Sequence, residues 1–172
     1  MFARGNGRGL IFLDDSDRHR YLRLLGETVI RQRWYALAYC LMDNHVHLLL
    51  ETPERNLGEG MQRLHGRYAQ RFNRRHDHVG HLFQGRFGSV RVTTNAQMWA
   101  VTAYIAANPV SARQARRPDE WPWSSYRATL AGSGPHWLAA PRLLEHFGAF
   151  GGEPVLRYRR AVSERAAASA SR

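Results

Sequence analysis

The spacing of apolar positions along the chain predicts a helix first and a β-hairpin next. From residue 16 to 31, apolar side chains recur on one side of a helix, and Ser16 can cap its first turn. Residues 34–42 and 45–52 are two β-prone runs, and the Asp43-Asn44 pair between them tolerates the positive φ of a two-residue turn. The two runs are therefore predicted to pair as an antiparallel hairpin.

After Pro53 the apolar spacing changes to three and four, which predicts an amphipathic helix over residues 57–75. Its opposite face carries nearly one cation per turn, and Glu59 is the only acid nearby in the sequence. Such a stripe is usually a solvated helix face, but arginines without neighbouring carboxylates repel one another and would be relieved by phosphates. The stripe consists of Arg63, Arg67, Arg71, Arg74 and Arg75.

The next segment is predicted to contain a strand and a further helix. A polar loop, which includes His76 and His78, leads into a strand predicted over residues 81–92. Thr94 and Gln97 form a capping box for a helix over residues 95–108. This helix is expected to stop there, because the following proline disfavours helical geometry in the residue before it.

The C-terminal part of the chain is predicted to be helical and then disordered. Residues 121–126 form a rigid aromatic turn, and short helices are expected from about residue 141 to 163. Residues 166–172 are small and polar, which predicts a disordered tail.

Composition narrows the class of protein. A length of 172 residues with 44% hydrophobic residues is typical of one globular domain. The lone Cys40 excludes a disulfide within the chain, and no apolar stretch has signal-peptide or membrane-span length, so we expect a cytoplasmic protein without a membrane partner. The net charge of +11, carried by 25 arginines and no lysine, favours a nucleic-acid partner and hence a nucleoid-associated location.

Two His-x-His pairs are candidates for metal binding. His45 and His47 lie in a predicted strand, where alternate side chains share a face, and two neutral imidazoles can begin a divalent-metal site. His76 and His78 lie beside Gly80 in a predicted loop, where the orientation of the rings is not fixed. A histidine among apolar residues is more often a satisfied core residue, so the pattern alone leaves both interpretations of the first pair open.

A site with two histidines needs a third ligand. Glu51 lies four residues beyond His47, roughly 13 Å along a strand, and Asp43 is needed at the turn. Asn108 is available, and Tyr104 lies one turn before it on the same helix face. A tyrosine can attack a phosphodiester and form a covalent phosphotyrosyl bond. The alternative is that Tyr104 is an ordinary half-buried helix residue.

Five motifs occur in order between residues 4 and 126. They are Arg4-Gly5-Asn6 with Ile11-Phe12-Leu13-Asp14-Asp15, Met42-Asp43-Asn44-His45-Val46-His47-Leu48-Leu49, Gly80-His81-Leu82-Phe83-Gln84-Gly85-Arg86-Phe87, Tyr104-Ile105-Ala106-Ala107-Asn108-Pro109-Val110 and Trp121-Pro122-Trp123-Ser124-Ser125-Tyr126. In this order they resemble the single-tyrosine HUH transposases of the IS200-like group, in particular the branch associated with repetitive extragenic palindromes (REPs).

This resemblance implies an α+β fold, an antiparallel β-sheet flanked by helices in the ferredoxin-like, RRM-like HUH arrangement. It also implies an enzyme that cleaves and rejoins single-stranded DNA at hairpins through a 5′-phosphotyrosine. Tyr104 would be the nucleophile, and His45, His47 and Asn108 would bind Mg²⁺ or Mn²⁺. Relatives act as monomers or homodimers. The candidate contacts to the DNA backbone are Arg63, Arg67, Arg71, Arg74, Arg75, Arg86 and Arg91.

The resemblance divides the chain into a catalytic domain over residues 1–130 and a helical extension with a tail over residues 131–172. Relatives have a strand before the Arg-Gly-Asn motif, so a shortened first strand is expected here. Two other functions fit the same residues. The first is a catalytically inactive module of this fold that binds single-stranded DNA or RNA, and the second is a metallo-phosphoesterase that uses activated water instead of a tyrosine.

Overall fold

The structure is a computed structural model that describes residues 1–148 and 152–170. Within these residues there are three strands and six helices, and two short 3₁₀ turns lie at 6–8 and 118–120. The strands and helices, in chain order, are β1 (Phe2–Arg4), α1 (Asp15–Gln32), β2 (Tyr35–Met42), β3 (His45–Glu51), α2 (Leu57–His76), α3 (Asn95–Ser111), α4 (Tyr126–Ala131), α5 (Ala140–Gly148) and α6 (Pro154–Ala170).

The predicted hairpin is confirmed. β2 and β3 pair antiparallel with Met42 opposite His45, and a bulge between Ala36 and Ala38 shifts the register near the far end. β1 pairs antiparallel with the other edge of β3, so the sheet order is β1-β3-β2. The α+β fold with an antiparallel sheet flanked by helices is therefore confirmed, and the strand that carries His45 and His47 is central.

The two faces of the sheet pack against different helices. On one face, Val46 and Leu48 join a buried cluster with residues of α1 and α2, among them Leu24 and Tyr68. The opposite face packs against α3, α5 and α6. The buried cluster between them includes Leu37, Cys40, Met42 and Leu49 of the sheet and Ala103, Ile105, Phe147 and Tyr158 of the helices. Because side chains alternate along a strand, the two histidines of β3 lie on the α3 face.

Helix α1 begins one residue earlier than predicted, and Ser16 does not cap it. Asp14 is the N-cap, and its Oδ1 accepts a hydrogen bond from the backbone N–H of Asp17 at 3.0 Å. A carboxylate at this position also interacts favourably with the positive end of the helix dipole, which explains why it replaces the serine. The helix ends at Arg33, which adopts a left-handed backbone with φ of 55°.

The strand predicted over residues 81–92 does not form. This segment is a loop that touches β1 at two isolated bridges, Gly5 with Phe83 and Phe2 with Gly88. A strand of three residues offers few ladder partners, and the glycines of the loop weaken extended pairing. The loop nevertheless covers the free edge of β1, because Phe2 and Gly88 exchange two backbone hydrogen bonds of 2.8 and 2.9 Å.

Helix α3 does not stop at Asn108 but continues through Pro109 to Ser111. Proline removes a single backbone donor, and here it lies in the last turn, where the loss costs one intrahelical bond. The following backbone N–H groups close the helix: Ala112 donates to Asn108 at 2.9 Å and Gln114 donates to Pro109 at 2.8 Å. Asn108 is therefore inside the helix and not at its end.

The C-terminal helices pack back onto the domain. α6 runs along α3 and continues through Ala170, so the disordered tail predicted from residue 166 is wrong through residue 170, and residues 171–172 lie outside the described residues. Ala166 is buried there, which explains how a run of small residues remains helical. The division of the chain at residue 130 stays a prediction. Among the described residues, no helix is long and apolar enough to cross a membrane.

Candidate active site

Four side chains meet where α3 crosses the face of the sheet. The Nε2 atom of His45 lies 3.1 Å from Oδ1 of Asn108, and the Nε2 atom of His47 lies 3.4 Å from Nδ2 of the same carboxamide. The phenol oxygen of Tyr104 lies 3.5 Å from Nε2 of His47. The structure thus brings together all the residues predicted for metal binding and nucleophilic attack, and one chain supplies them.

Local structure explains this convergence. His45 and His47 are two residues apart on β3 and point to the same face, with ring centroids 5.0 Å apart. Tyr104 and Asn108 are one turn apart on α3 and share a helix face, as predicted. Three of the seven buried residues of α3 are alanines, and small side chains let the helix approach the sheet closely. Tyrosine and asparagine can therefore reach the imidazoles.

Burial keeps both imidazoles neutral. It lowers the pKa of His47 to about 3, and the nearby charges of His45, the amino terminus and Arg4 act in the same direction. Burial also lowers the pKa of His45, an effect that its hydrogen bond to Asn108 partly opposes. Neutral histidines have a free lone pair, which is the form that binds metal ions.

The donor set around His45 favours a cation. Its Nδ1 lies 2.7 Å from Oδ1 of Asn44, and its Nε2 lies 3.1 Å from Oδ1 of Asn108. A neutral imidazole has a single N–H, so it can donate to only one of these two oxygens. If Nδ1 donates to Asn44, the lone pair of Nε2 faces a lone pair of Asn108, and a cation between the two atoms would turn repulsion into attraction.

The residues present thus fit a divalent ion with two nitrogen ligands and one carboxamide oxygen. Among the described residues no cluster of three or more histidine, cysteine, aspartate or glutamate side chains could hold a metal, so the third ligand must be of another type. The two carboxylates nearest in sequence are engaged elsewhere: Glu51 accepts two hydrogen bonds of 2.6 Å from Arg142, and Asp43 accepts from Arg18 and Gln114.

Asn44 is a candidate that the sequence reasoning did not single out. Its side-chain oxygen holds Nδ1 of His45, and its Nδ2 donates to the backbone carbonyl of Arg8 at 3.1 Å. A fixed partner on the remote ring nitrogen sets the tautomer and the direction of the metal-binding nitrogen. The sequence signal for this role is the position of Asn44 directly before His45, but the same position also suits a turn residue.

The second histidine pair does not converge. His76 is the last residue of α2 and contacts Asp17 at 3.0 Å, whereas His78 contacts Oδ1 of Asn73 at 3.0 Å. Each ring thus has its own partner, and neither contact resembles a metal site.

Tyr104 is accessible to solvent, in contrast to two other tyrosines of the domain. Its side chain is 37% exposed, whereas Tyr68 and Tyr126 are buried in the two cores. On its outer side, helix α6 places the guanidinium of Arg165 5.5 Å from the centre of the Tyr104 ring. The nucleophile candidate therefore lies between a histidine on one side and a cation on the other.

The arginine stripe of α2 is partly neutralised, so the premise that it lacks compensating carboxylates is wrong for two of its members. Arg67 pairs with Glu27 at 2.7 Å, and Arg75 pairs with Asp14 and Asp17 at 2.6 Å. These acids belong to α1, which is distant in sequence. In the part of the chain that the structure describes, no ion pair engages the other predicted contacts, Arg63, Arg71, Arg74, Arg86 and Arg91, and all five are exposed.

Comparison with known proteins identifies a family and a similar fold. Residues 5–108 match the family described as "Transposase IS200 like". A search of curated proteins by sequence gives no match. The fold is similar to a solved structure described as "Structure of the REP associates tyrosine transposase bound to a REP hairpin", with a TM-score of 0.62, 17% identity, and coverage of 80% of this chain and 82% of that chain.

The family match covers more than half of the chain and includes His45, His47, Tyr104 and Asn108. The protein belongs to the IS200-like transposase family, a class of enzymes that cleave DNA. The structural neighbour confirms the fold independently of close sequence identity.

Proposed function

We propose that the protein cleaves and rejoins single-stranded DNA through a covalent bond to Tyr104. The phenol loses its proton and its oxygen attacks a phosphodiester. The new Oη–P bond replaces the P–O3′ bond, and the departing 3′ oxygen takes up a proton. The products are a 5′-phosphotyrosyl adduct and a free 3′ hydroxyl, and reversal with another 3′ hydroxyl rejoins the strand without a nucleotide cofactor.

One observation carries the proposal: the Tyr104 oxygen lies 3.5 Å from Nε2 of His47, and the tyrosine is accessible to solvent. A phosphate that contacts both histidines would therefore lie next to the phenol, which is the positioning that such a reaction needs. Because the same chain supplies the tyrosine and the histidines, the proposal includes cleavage in cis.

His45, His47 and Asn108 would hold Mg²⁺ or Mn²⁺, a role supported by the Nε2 atoms of both histidines lying within 3.4 Å of the Asn108 carboxamide. The ion would polarise the phosphate and stabilise the charge that develops on the leaving oxygen. The protein's own contribution is to keep both imidazoles neutral, through burial, and aligned. Asn44 fixes the orientation of the His45 ring, and the pairing of β3 with both neighbouring strands fixes the spacing of the two rings.

The proposed substrate is a DNA hairpin with a single-stranded flank. The structural neighbour is a transposase bound to a REP hairpin, and the net charge of +11 suits a polyanion. We include all seven predicted arginines as candidate backbone contacts, and the five without carboxylate partners are the stronger candidates. Such an enzyme would act in the cytoplasm, at the nucleoid.

The proposal is tested by incubating the protein with hairpin DNA and Mn²⁺ and separating covalent adducts on a denaturing gel. Wild type should give an adduct, and Tyr104→Phe should give none. Tyr35→Phe is the matched control, because Tyr35 is similarly exposed at 41% and contacts Arg142 instead of a histidine. Equal adduct from wild type and Tyr104→Phe would contradict the proposal. DNA binding without any adduct would favour the inactive binding module, and cleavage without adduct the phosphoesterase.

A further inference from the structure

We propose that the edge strand β1 forms a nucleotide subsite, in which Arg4 contacts a DNA phosphate and Phe2 stacks on the adjoining base. The subsite lies beside the histidine pair and rests on the proposed function. Both residues precede residue 5, where the family match begins. The ligand is a nucleotide of single-stranded DNA next to the phosphate that Tyr104 attacks.

The register of the sheet places both residues beside the site. Phe2 pairs with His47, and Arg4 pairs with His45. Residues directly opposite each other in an antiparallel pair have their side chains on the same face. The side chains of Phe2 and Arg4 therefore share the face of the two histidines, and the ring centroids of Phe2 and His47 are 6.4 Å apart.

Phe2 is held in place while much of its ring stays in solvent. The side chain is 46% exposed, although an apolar ring gains nothing from water. Gly88 backs the ring, since a Cβ atom at that position would lie 2.3 Å from it, and the two residues also exchange two backbone hydrogen bonds. A fixed and exposed aromatic ring provides a surface on which any nucleic-acid base can stack.

Arg4 is a cation without a partner at the same edge. Within the described residues its guanidinium makes no hydrogen bond or ion pair, in contrast to Arg67 and Arg75. Arg4 is the register partner of His45 and shares its face of the sheet, so the charge lies at the edge of the histidine pair. An exposed cation beside neutral imidazoles would be compensated by the negative charge of a phosphate.

Together Phe2 and Arg4 can bind both the base and the phosphate of a nucleotide. They are two positions apart on one strand, so the ring and the guanidinium lie along the same line at the open side of the site. Stacking supplies affinity with little dependence on the base, and the cation supplies a contact to the backbone. We therefore expect the strand to pass along β1 before it reaches Tyr104.

The test uses the full chain and an oligothymidylate in which thymine is replaced by 5-iodouracil, a base that crosslinks to aromatic rings on which it stacks. Irradiation should attach the oligonucleotide to the tryptic peptide Met1–Arg4 in wild type. Phe2→Leu should lose this crosslink and bind about 5- to 100-fold more weakly, and Phe2→Trp should restore binding. Arg4→Gln should reduce the slope of log Kd against log salt concentration by about 0.7.

Matched controls are Tyr35→Leu, an exposed aromatic on β2, and Arg31→Gln, an exposed arginine on α1; both should behave as wild type. Thermal unfolding of each variant identifies any loss of folding, and Phe2→Trp keeps the result interpretable because it retains a ring against Gly88. Crosslinks confined to other peptides, or an unchanged salt slope in Arg4→Gln, would overturn the inference.

The same preparations are assayed for the Tyr104 adduct with hairpin DNA, which separates the two claims. If wild type forms the adduct while Phe2→Leu and Arg4→Gln bind as wild type does, the subsite is wrong and the proposed reaction stands. If binding depends on Phe2 and Arg4 but no adduct forms, the subsite stands and the proposed reaction is wrong.

Discussion

The two histidine pairs have the same spacing and different surroundings. His45 and His47 lie on the central strand of a sheet, where Asn108 of α3 contacts both rings and Tyr104 of α3 contacts His47. His76 and His78 lie where α2 ends, and each ring turns to its own acceptor, Asp17 or Asn73. The comparison teaches that a His-x-His pattern indicates a site only when the backbone fixes both rings toward a common point.

The largest expected difference is in activity. Replacing His45 and His47 by alanine should reduce adduct formation by more than about 100-fold. Loss of an outer partner of a metal ligand already costs about 10- to 100-fold, and loss of both ligands should cost more. Replacing His76 and His78 by alanine should leave adduct formation within about 3-fold of wild type and instead lower the free energy of unfolding by about 1–2 kcal/mol, through the lost contact to Asp17. Comparable losses of activity in both variants would break the comparison.

Asn44 contacts His45 and Asn73 contacts His78, so these two asparagines test the same difference between the histidine pairs. Asn44→Ala should reduce adduct formation by about 10- to 100-fold, because it frees the ring of His45 to rotate and to change tautomer. Asn73→Ala removes the equivalent contact to His78 and should leave activity unchanged. Titration with Mn²⁺ provides the check, since the loss in Asn44→Ala should shrink at high metal concentration. A loss that is independent of metal would show that Asn44 acts only on folding.

A fifth histidine, His65, lies outside both pairs and should make the stability of the fold sensitive to acid. His65 hydrogen-bonds to Tyr21 and stacks on Phe83, and burial lowers its pKa to about 4. His65 binds a proton near pH 6.5 in the unfolded chain but only near pH 4 in the folded chain. The free energy of unfolding therefore keeps its full value above about pH 6.5 and decreases as the pH falls toward 4. Between pH 7.5 and pH 5 the loss should be about 2 kcal/mol.

Denaturant unfolding of His65→Gln at these two pH values checks the prediction. The variant should lose less stability on acidification than wild type by about that amount. The same replacement at the exposed His136 serves as the control. If His65→Gln and wild type lose equal stability, the acid sensitivity arises from other groups, such as the histidines of the site.

The smallest expected effects concern the arginines of α2. Replacing Arg63, Arg71 and Arg74 by alanine should reduce the salt slope for single-stranded DNA by about 2, since each phosphate contact contributes about 0.7. Replacing Arg67 and Arg75 should change the slope less and lower stability instead, because both are paired with carboxylates of α1. An equal reduction in slope from both groups would show that the ion pairs open when DNA binds.

Local signals in the sequence were sufficient for much of the fold and of the site. The hairpin follows from two β-prone runs around Asp43-Asn44, and the shared face of Tyr104 and Asn108 follows from their spacing. Features that depend on distant partners were not predictable in this way. The carboxylates that neutralise Arg67 and Arg75 come from α1 and its N-cap, and the segment over residues 81–92 stays a loop because the strand beside it, β1, has three residues.

Pro109 and the C-terminal helix α6 are two further features that local sequence signals do not predict correctly. The proline would end an isolated helix, but it lies in the last turn of α3, where the backbone of the following residues completes the hydrogen bonding. The end of α6 is rich in alanine, the best helix former, but a single helix is only marginally stable in water, and the burial of Ala166 shows that packing against the domain adds to its stability. In both cases contacts in the folded protein decide what the local sequence leaves open.

The most direct test of the account is to identify the residue that becomes covalently attached to DNA. Tryptic digestion places Tyr104 in the peptide Val92–Arg113, in which it is the only tyrosine. After reaction with hairpin DNA and Mn²⁺, mass spectrometry should locate a 5′-phosphate linkage on Tyr104 in wild type and no modified peptide in His45→Ala. A linkage on any other residue, or cleavage that leaves no peptide modified, would contradict the account.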